Sequence, residues 1–389
     1  MKPILFSALL LLAATSCNAQ NDATQKKTTT TIITKAKTVA DTNSLAYQFL
    51  HPNAAMKIKV NQIYDSLTNS QRAAQMIMIA SSETLGFPYE TYVKPLVKKG
   101  IAANVLFLKG TTTNFKKQET FLSTQKMDGL QPLYACDCEP TLMHYKFTDK
   151  AKMSPTSSLN TTALLQQSLD TINPILNDLN IDINFAPVVD NASNKSVINK
   201  RSFGTNNDSI VHYSNQFIRM SQKENIAATV KHFPGHGAVV GDTHKQSVWI
   251  NGKFTELDNF KNVINQSNPL LVMVGHISIK NNPEGYNTEN GRPATTSRKI
   301  VTDLLKNDLK YKGIITTDAM NMQASKNMPD ADWESVKAGI DLVLMPMDAT
   351  KLHSKIEKAL AQNDAFSKEL EVSIKKIILM KMIAGKYNP

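Results

Sequence analysis

Cysteine is scarce in this sequence. Only three of the 389 residues are cysteine, Cys17, Cys136 and Cys138. So few cysteines exclude a small fold held together by disulfides, and the protein must rely on its apolar core. Cys136 and Cys138 are one residue apart, which is poor disulfide geometry on a strand. We therefore predict that both are small buried apolar side chains without a disulfide.

The apolar run near the N-terminus is too short to cross a bilayer. It spans residues 4–14, follows Lys2 and precedes small residues up to Cys17. This arrangement is typical of a secretory signal, which we place at residues 1–16. Residues 14–17 also resemble a bacterial lipobox, in which the cysteine becomes the acylated first residue of the mature protein; plain cleavage nearby is the alternative. We therefore expect an exported, membrane-anchored lipoprotein of the cell envelope.

Acidic residues are fewer than basic residues. The sequence has 33 aspartate and glutamate residues against 44 lysine and arginine residues, which gives a net charge of +11. Because no nucleic-acid motif is present, this charge indicates an anionic envelope polymer or a membrane surface, or only a solvated basic surface. Residues 17–55 are polar, rich in threonine and lysine, and without apolar periodicity, so we predict a flexible tether there.

Residues 56–389 have the pattern of one large α/β domain. Short β-rich apolar runs alternate with stretches whose apolar residues recur at helical spacing, which indicates a parallel sheet. Eight such units fit a single (β/α)8 TIM-type barrel better than two doubly wound domains. The predicted strands are 74–80, 103–108, 132–138, 181–190, 226–233, 270–277, 313–318 and 340–346. The predicted helices include 91–99, 159–179, 210–223, 254–265, 297–309, 349–361 and 366–383.

Polar residues stand at the ends of five of these strands. Catalytic groups in such barrels come from the C-terminal ends of the strands, so we expect these side chains to converge on one rim. Charged residues at these positions would be costly unless they face a wet cleft or one another. The residues are Asp137, Asp190, Lys231, His232, His276 and Asp318.

The segment after the fifth strand concentrates reactive side chains. Three histidines, a lysine and an aspartate lie within residues 231–244, where a proline and several glycines interrupt regular structure. Asp242 and His244 are two residues apart, so the carboxylate can accept the imidazole N–H, fix its tautomer and make it a stronger base. We predict that this pair transfers a proton.

Asp318 directly follows a predicted strand, and it supplies a carboxylate in addition to the Asp242–His244 pair. A carboxylate nucleophile together with a proton donor is what a retaining glycosidase needs. Most such enzymes use a carboxylic acid as the donor, whereas an imidazole has a pKa that is already near neutral. The alternative for Asp318 is a helix N-cap.

Several motifs resemble those of glycoside hydrolase family 3 β-N-acetylglucosaminidases of the NagZ type. The main match is residues 231–237 followed by 242–244, with further matches at 183–190, 200–204, 275–276, 293–297 and 317–319. The likeness covers about residues 60–385. It implies a retaining barrel enzyme that removes terminal β-linked N-acetylglucosamine from peptidoglycan-derived glycans or muropeptides. It also implies that neither a metal nor an organic cofactor takes part.

The resemblance further implies a role for each matching residue. Asp318 would be the nucleophile, and His244 the acid/base oriented by Asp242. The residues that would bind the sugar hydroxyls are Asp137, Arg201, Lys231 and His232.

The chain departs from the family pattern after the third strand. The family carries Asp-Gln-Glu-Gly-Gly there with an arginine soon after, whereas here Asp137 is followed by Cys-Glu-Pro-Thr, with Lys146 near the arginine position. Losing two glycines and gaining a proline stiffens and redirects the loop, which leaves the exact substrate open. Lys146 can replace the charge of the arginine but not its planar fork.

Other functions stay open at this point. A barrel metallohydrolase would use His232, His236, Asp242 and His244 as ligands, although Lys231 would place a cation beside the metal. A barrel that only binds cell-wall glycan would bind without turnover. Another β-glycosidase is less expected, because such family members take the acid/base from a further domain. A phosphorylase would use phosphate as acceptor, since a neutral imidazole repels an anion less than a carboxylate does. The oligomeric state is not indicated.

The lipobox-like segment gives a direct prediction. Cys17→Ser should release or mislocalise the protein, because the side chain that would carry the lipid is removed. Membrane and soluble fractions probed by immunoblot measure this. Unchanged partitioning of the variant would rule lipidation out.

Overall fold

The structure is a computed structural model and describes residues 44–326 and 328–389. The predicted signal segment 1–16, Cys17 and the predicted tether as far as residue 43 lie outside the described residues. Within the described ranges, no helix is both long and apolar enough to pass through a membrane.

Eight parallel strands form the predicted barrel. Their order in the sheet is β10-β1-β2-β3-β4-β5-β7-β9. A bridge between Thr316 and Leu342 joins β9 to the chain just before β10, which nearly closes the ring. The barrel strands are β1 (Ile77–Ser82), β2 (Asn104–Lys109), β3 (Leu133–Cys136), β4 (Ile183–Asn184), β5 (Ala227–Phe233), β7 (Leu271–Val274), β9 (Ile314–Thr317) and β10 (Val343–Leu344).

Several predicted strands are shorter in the structure, and the eighth is only Val343–Leu344 instead of 340–346. The first begins at Ile77 instead of 74, because Thr68 and Gln71 form a capping box that starts a helix over Asn69–Gln75. The fourth is only Ile183–Asn184 instead of 181–190. Beyond Asn184 the chain keeps separate hydrogen bonds to β5, and Pro187 has no N–H to donate to a ladder.

A small parallel ribbon was not predicted. It pairs β6 (Val248–Asn251) with β8 (Ile277–Lys280). Ile277 therefore belongs to the ribbon, and the predicted sixth strand, 270–277, ends earlier. Val239, Val248 and Ile277 form a separate apolar cluster under this ribbon.

Helices surround the barrel, and every helix predicted above is present with small shifts in its bounds. Two of them, Tyr89–Val93 and Lys299–Asp308, are π-helical. The α-helices are α1 (Leu45–Leu50), α2 (Ala54–Ser66), α3 (Asn69–Gln75), α4 (Lys94–Lys98), α5 (Thr112–Leu122), α6 (Met143–Lys146), α7 (Thr162–Asp178), α8 (Asn207–Lys223), α9 (Leu257–Ser267), α10 (Gln323–Lys326), α11 (Ala331–Ala338), α12 (Ala349–Leu360) and α13 (Ala365–Ile383). The 3-10 turns are Thr156–Ser158, Asn199–Arg201, Glu289–Gly291 and Ala294–Thr296.

The prediction of a tether as far as residue 55 is wrong at its C-terminal end. Ser44 caps α1, and α1 packs against α8 and α13. Leu45, Ala46 and Phe49 are buried there and belong to the main apolar core. Three apolar side chains on one face of a short helix can be buried only against a neighbour, which the six-residue pattern alone does not reveal.

The prediction that Cys136 and Cys138 form no disulfide is also wrong. Both side chains are buried as expected, but a disulfide joins them. Because β3 ends at Cys136, the chain bends there, and the two Cα atoms lie 5.5 Å apart, which is within the usual range for a disulfide.

Candidate active site

A cavity of about 550 Å³ opens at the C-terminal ends of the barrel strands. One part of its wall is polar and includes Asp137, Lys146, Arg201, Lys231, His232, His244 and Asp318. Another part is apolar and includes Leu85, Phe87, Leu106, Leu108, Leu142, Met273, Met322, Leu344 and Met345. All the predicted site residues therefore lie at this cavity except Asp242, which contacts His244 behind it. A second cavity of about 520 Å³, beside α1 and α9, has none of these residues in its wall.

Strand ends place most of the polar side chains. Asp137 follows β3 and Asp318 follows β9, while Lys231 and His232 belong to the last residues of β5. The Lys231–His232 peptide bond is cis. Arg201 ends a 3-10 turn, Asn199–Arg201, in the long connection after β4. The predicted convergence on one rim is confirmed for Asp137, Lys231, His232 and Asp318.

Lys231 lies at the centre of a cluster of charges. Its side chain is only 2% exposed, and Nζ lies 2.8 Å from Asp137 Oδ1 and 2.7 Å from Glu139 Oε1. Arg201 donates to both oxygens of Glu139, at 3.0 Å and 2.7 Å. Lys146 reaches Asp137 Oδ2 at 3.1 Å. Three cations and two carboxylates thus satisfy one another at one side of the cavity.

The cluster keeps its members ionised. Burial alone would raise the pKa of Asp137, but Lys146 and Lys231 hold it well below its ordinary value. Burial likewise opposes ionisation of Glu139, and Arg201 and Lys231 lower its pKa overall. For Lys231, the two carboxylates outweigh burial and raise its pKa. The polar wall therefore presents fixed charges to a ligand at neutral pH.

His232 is held by a carboxylate behind the wall. Its Nδ1 lies 2.6 Å from Asp190 Oδ2, and its backbone N–H donates to the same oxygen at 3.0 Å. A carboxylate only accepts, so Nδ1 carries the proton. Nε2 is then the ring nitrogen left for a hydrogen bond with a ligand.

His244 and Asp242 form the predicted pair. Nδ1 of His244 lies 2.8 Å from Asp242 Oδ1, which also accepts the backbone N–H of His244 at 2.9 Å. Burial disfavours the charge on Asp242, but these hydrogen bonds from His244 outweigh it and lower the pKa of Asp242. Nε2 of His244 is the ring nitrogen that remains for a contact with a substrate. The imidazole is 59% exposed, so that it can exchange protons with solvent.

Asp318 lies deeper in the same cavity. Its Oδ1 accepts the N–H of Ala319 at 2.8 Å, and its own N–H donates to Val274 O of β7 at 2.9 Å. Burial would raise the pKa of Asp318, but the imidazoles of His232, His276 and His244 and the hydrogen bond from Ala319 lower it overall. An ionised carboxylate is the form that can act as a nucleophile.

Two other histidines are buried and engaged elsewhere. His236 lies between Asn194, at 3.2 Å from Nδ1, and Thr243, at 3.2 Å from Nε2. His276 contacts Thr295 Oγ1 at 2.9 Å and the carbonyl of Ala319 at 3.0 Å. His236 does not point into the cavity with His232 and His244, as the metallohydrolase alternative would require. In residues 44–326 and 328–389 no three His, Cys, Asp or Glu side chains are grouped so as to hold a metal ion.

Sequence reasoning missed Glu139 and the apolar wall. Glu139 stood two residues after Asp137 in the predicted third-strand loop, so its position was visible, but its pairing with Arg201 spans 62 residues. The apolar wall comes from β2, β7 and β10 and from the loops after β1, β3, β9 and β10. From the sequence, these apolar residues were indistinguishable from ordinary core residues.

The buried pair of Glu139 and Arg201 gives a prediction about this wall. Glu139→Gln should raise KM for a saccharide substrate and lower stability by about 3–5 kcal/mol, because Arg201 and Lys231 lose a buried counter-charge. The matched control is Glu369→Gln, which removes a similar bidentate partner of Arg298, but one that is 48% exposed. That change should cost no more than about 1 kcal/mol and leave KM unchanged. Chemical denaturation and steady-state kinetics measure both, and equal effects of the two substitutions would contradict the prediction.

Comparisons with known proteins agree with this arrangement. The chain is 34% identical to a "Beta-hexosaminidase A" of Pseudoalteromonas piscicida over 44% of its own length, and 30% identical to a "Beta-hexosaminidase" of Actinobacillus pleuropneumoniae serotype 3 (strain JL03) over 43%. These matches cover 31% and 49% of the two relatives, so each relative is considerably longer than the matched region.

The fold matches a solved structure over most of the chain. A glycoside hydrolase family 3 β-N-acetylglucosaminidase from Paenibacillus sp. str. FPU-7 has a TM-score of 0.72 at 22% identity, covering 82% of this chain and 63% of that one. The sequence pattern of the "Glycosyl hydrolase family 3 N terminal domain" matches residues 72–380, which is nearly the whole barrel. The chain therefore belongs to glycosyl hydrolase family 3.

Proposed function

We propose that this barrel is a retaining β-N-acetylglucosaminidase that hydrolyses terminal β-linked N-acetylglucosamine. The observation that carries the proposal is one cavity that contains both an ionised carboxylate, Asp318, and a carboxylate-supported imidazole, His244. The names of the two curated relatives support a hexosaminidase in particular.

The two groups divide the chemistry between them. The Asp318 carboxylate attacks the anomeric carbon, while the protonated His244 gives its proton to the departing glycosidic oxygen. A covalent glycosyl-enzyme results. His244, now neutral, then takes a proton from water, which attacks the same carbon and frees Asp318. Asp242 stabilises the charged imidazole and holds its Nδ1–H in place throughout.

The polar wall recognises the sugar. Asp137 supplies acceptors, and Lys231 and Arg201 supply donors whose directions their buried partners fix. Nε2 of His232 supplies a further hydrogen-bonding atom. Because each group is already paired before a substrate arrives, little reorganisation is needed on binding.

The glycan we propose as substrate is peptidoglycan or a muropeptide released from it. Support comes from the export signal expected at residues 1–16, the expected lipid on Cys17 and the net charge of +11, which favours an anionic polymer. We accordingly propose a membrane-anchored position in the cell envelope.

The sugar specificity is testable with aryl glycosides. 4-Nitrophenyl β-N-acetylglucosaminide should be turned over at least about 100-fold faster, in kcat/KM, than 4-nitrophenyl β-glucoside, because polar groups arranged for one substituent are left unpaired by another. Kinetics in phosphate-free buffer measure the ratio. Equal kcat/KM values for the two substrates would contradict the hexosaminidase assignment.

The roles of Asp318 and His244 are separable by leaving group. Asp318→Asn should abolish turnover of every substrate. His244→Ala should slow hydrolysis of sugar-linked substrates by about 100-fold to 10,000-fold, the range typical of general acid/base catalysis. An aryl glycoside with a good leaving group needs little protonation of that group. With this substrate, His244→Ala should therefore release a burst of phenol and then turn over slowly, and azide should accelerate the slow phase.

The control for this experiment is His212→Ala, which removes an exposed histidine on α8 and should change nothing. If His244→Ala lost equal activity on activated and natural substrates, without a burst and without rescue by azide, His244 would not be the acid/base.

A further inference from the structure

The loop that carries Asp242 and His244 is fastened at its base by two buried carboxyl groups. Asp190 Oδ1 accepts the N–H of His236 at 2.7 Å. Glu256, the residue before α9, binds the next residue of the loop, Gly237. Its Oε1 accepts the N–H of Asn191 at 2.8 Å, and its Oε2 accepts the N–H of Gly237 at 2.9 Å. None of the sequence motifs above includes Glu256.

The backbone of this loop lies directly against the carboxyl group of Glu256, which is only 3% exposed. A Cβ atom on Gly235 would stand 2.3 Å from Glu256 Oε2. A Cβ atom on Gly237 would stand 2.3 Å from Glu256 Oε1 and 2.0 Å from the carbonyl oxygen of Asn191. Both distances are far inside van der Waals contact, so the two glycines are what allows this approach.

We propose that Glu256 is a positioning residue for the acid/base: by holding Asn191 and Gly237 together, it fixes the start of the loop and hence the direction of the His244–Asp242 pair toward Asp318. The inference rests on the proposed function, in which His244 transfers the proton. Glu256 does not line the cavity and has no direct part in the chemistry.

The shape of the Glu256 side chain makes a conservative substitution available. Burial and the neighbouring Asp190 raise the pKa of Glu256, although backbone N–H groups of Asn191, Gly237 and Ala238 lower it in part. Glu256→Gln keeps the size and shape of the side chain, but it replaces one acceptor oxygen by an NH2 group that cannot accept a hydrogen bond. It therefore removes the hydrogen bond to Asn191 or the one to Gly237, and either loss breaks the link between them.

The kinetic test compares leaving groups. For Glu256→Gln we expect kcat/KM on a β-linked N-acetylglucosamine disaccharide to fall about 10-fold to 100-fold, as for a catalytic group displaced by a fraction of an ångström. On 2,4-dinitrophenyl β-N-acetylglucosaminide, whose leaving group needs little protonation, the first turnover should change less than about 3-fold. If Glu256 had a purely structural role, the substitution would lower the rates on both substrates by the same factor. Equal losses on the two substrates, or no loss on either, would overturn the inference.

The matched control is Asp258→Asn, which makes the same acid-to-amide change at an exposed position two residues further on, in the first turn of α9. Asp258→Asn should leave the rates on both substrates unchanged. His244→Ala in parallel separates the two hypotheses. If His244→Ala loses more activity on the disaccharide than on the dinitrophenyl substrate and Glu256→Gln does not, only the inference about Glu256 fails. If His244→Ala shows no such difference, the acid/base assignment fails instead.

Hydrogen–deuterium exchange decides the positioning role independently of His244. In Glu256→Gln the amides of residues 235–247 should exchange at least about 10-fold faster than in the unaltered protein, since the link that Glu256 makes between Asn191 and Gly237 is broken. The amides of β1 and β2 should not change. Unchanged exchange in residues 235–247 would overturn the inference whatever the kinetics show.

Discussion

The ammonium group of Lys231 lies inside the barrel rim, and two carboxylates make that position possible. An unpaired charge at such a depth would cost several kcal/mol, so Asp137 and Glu139 must lie within hydrogen-bond distance of it. Glu139 then has a second oxygen to satisfy, and the fork of Arg201 fits it. Residues from three separate segments are thereby fixed by one requirement, that no buried charge stays unpaired.

The two catalytic candidates differ in how they are supported. Asp318 lies at the end of a barrel strand and is held by backbone hydrogen bonds to β7 and Ala319. His244 lies on a loop, is largely exposed, and depends on Asp242 for its tautomer. A nucleophile must stay ionised and still, whereas an acid/base must exchange protons with water in each cycle. The positions of the two residues match these different demands.

The loop after β3 departs from the family pattern, yet it keeps the contacts that the wall requires. Thr141 Oγ1 donates to the carbonyl of Lys200 at 2.8 Å, which fastens this loop beside Arg201. Lys146 lies 3.1 Å from Asp137, so it brings a positive charge to this side of the wall. The loop therefore keeps both its attachment beside Arg201 and a cation next to Asp137.

The sequence by itself determined the barrel, the rim and most of the residues on it. Apolar periodicity is a local property, so eight strands and their helices could be identified, and strand ends then located Asp137, Lys231, His232 and Asp318. The pair of Asp242 and His244 was predictable because two residues of separation already bring their side chains into contact. Only the tertiary structure decided the pairing of Glu139 with Arg201, the apolar wall, the contact of Glu256 with Gly237, the disulfide and the docking of α1. Each of these joins segments that are distant in the chain or depends on a bend at a strand end, and side-chain contacts of that kind leave no period in the sequence.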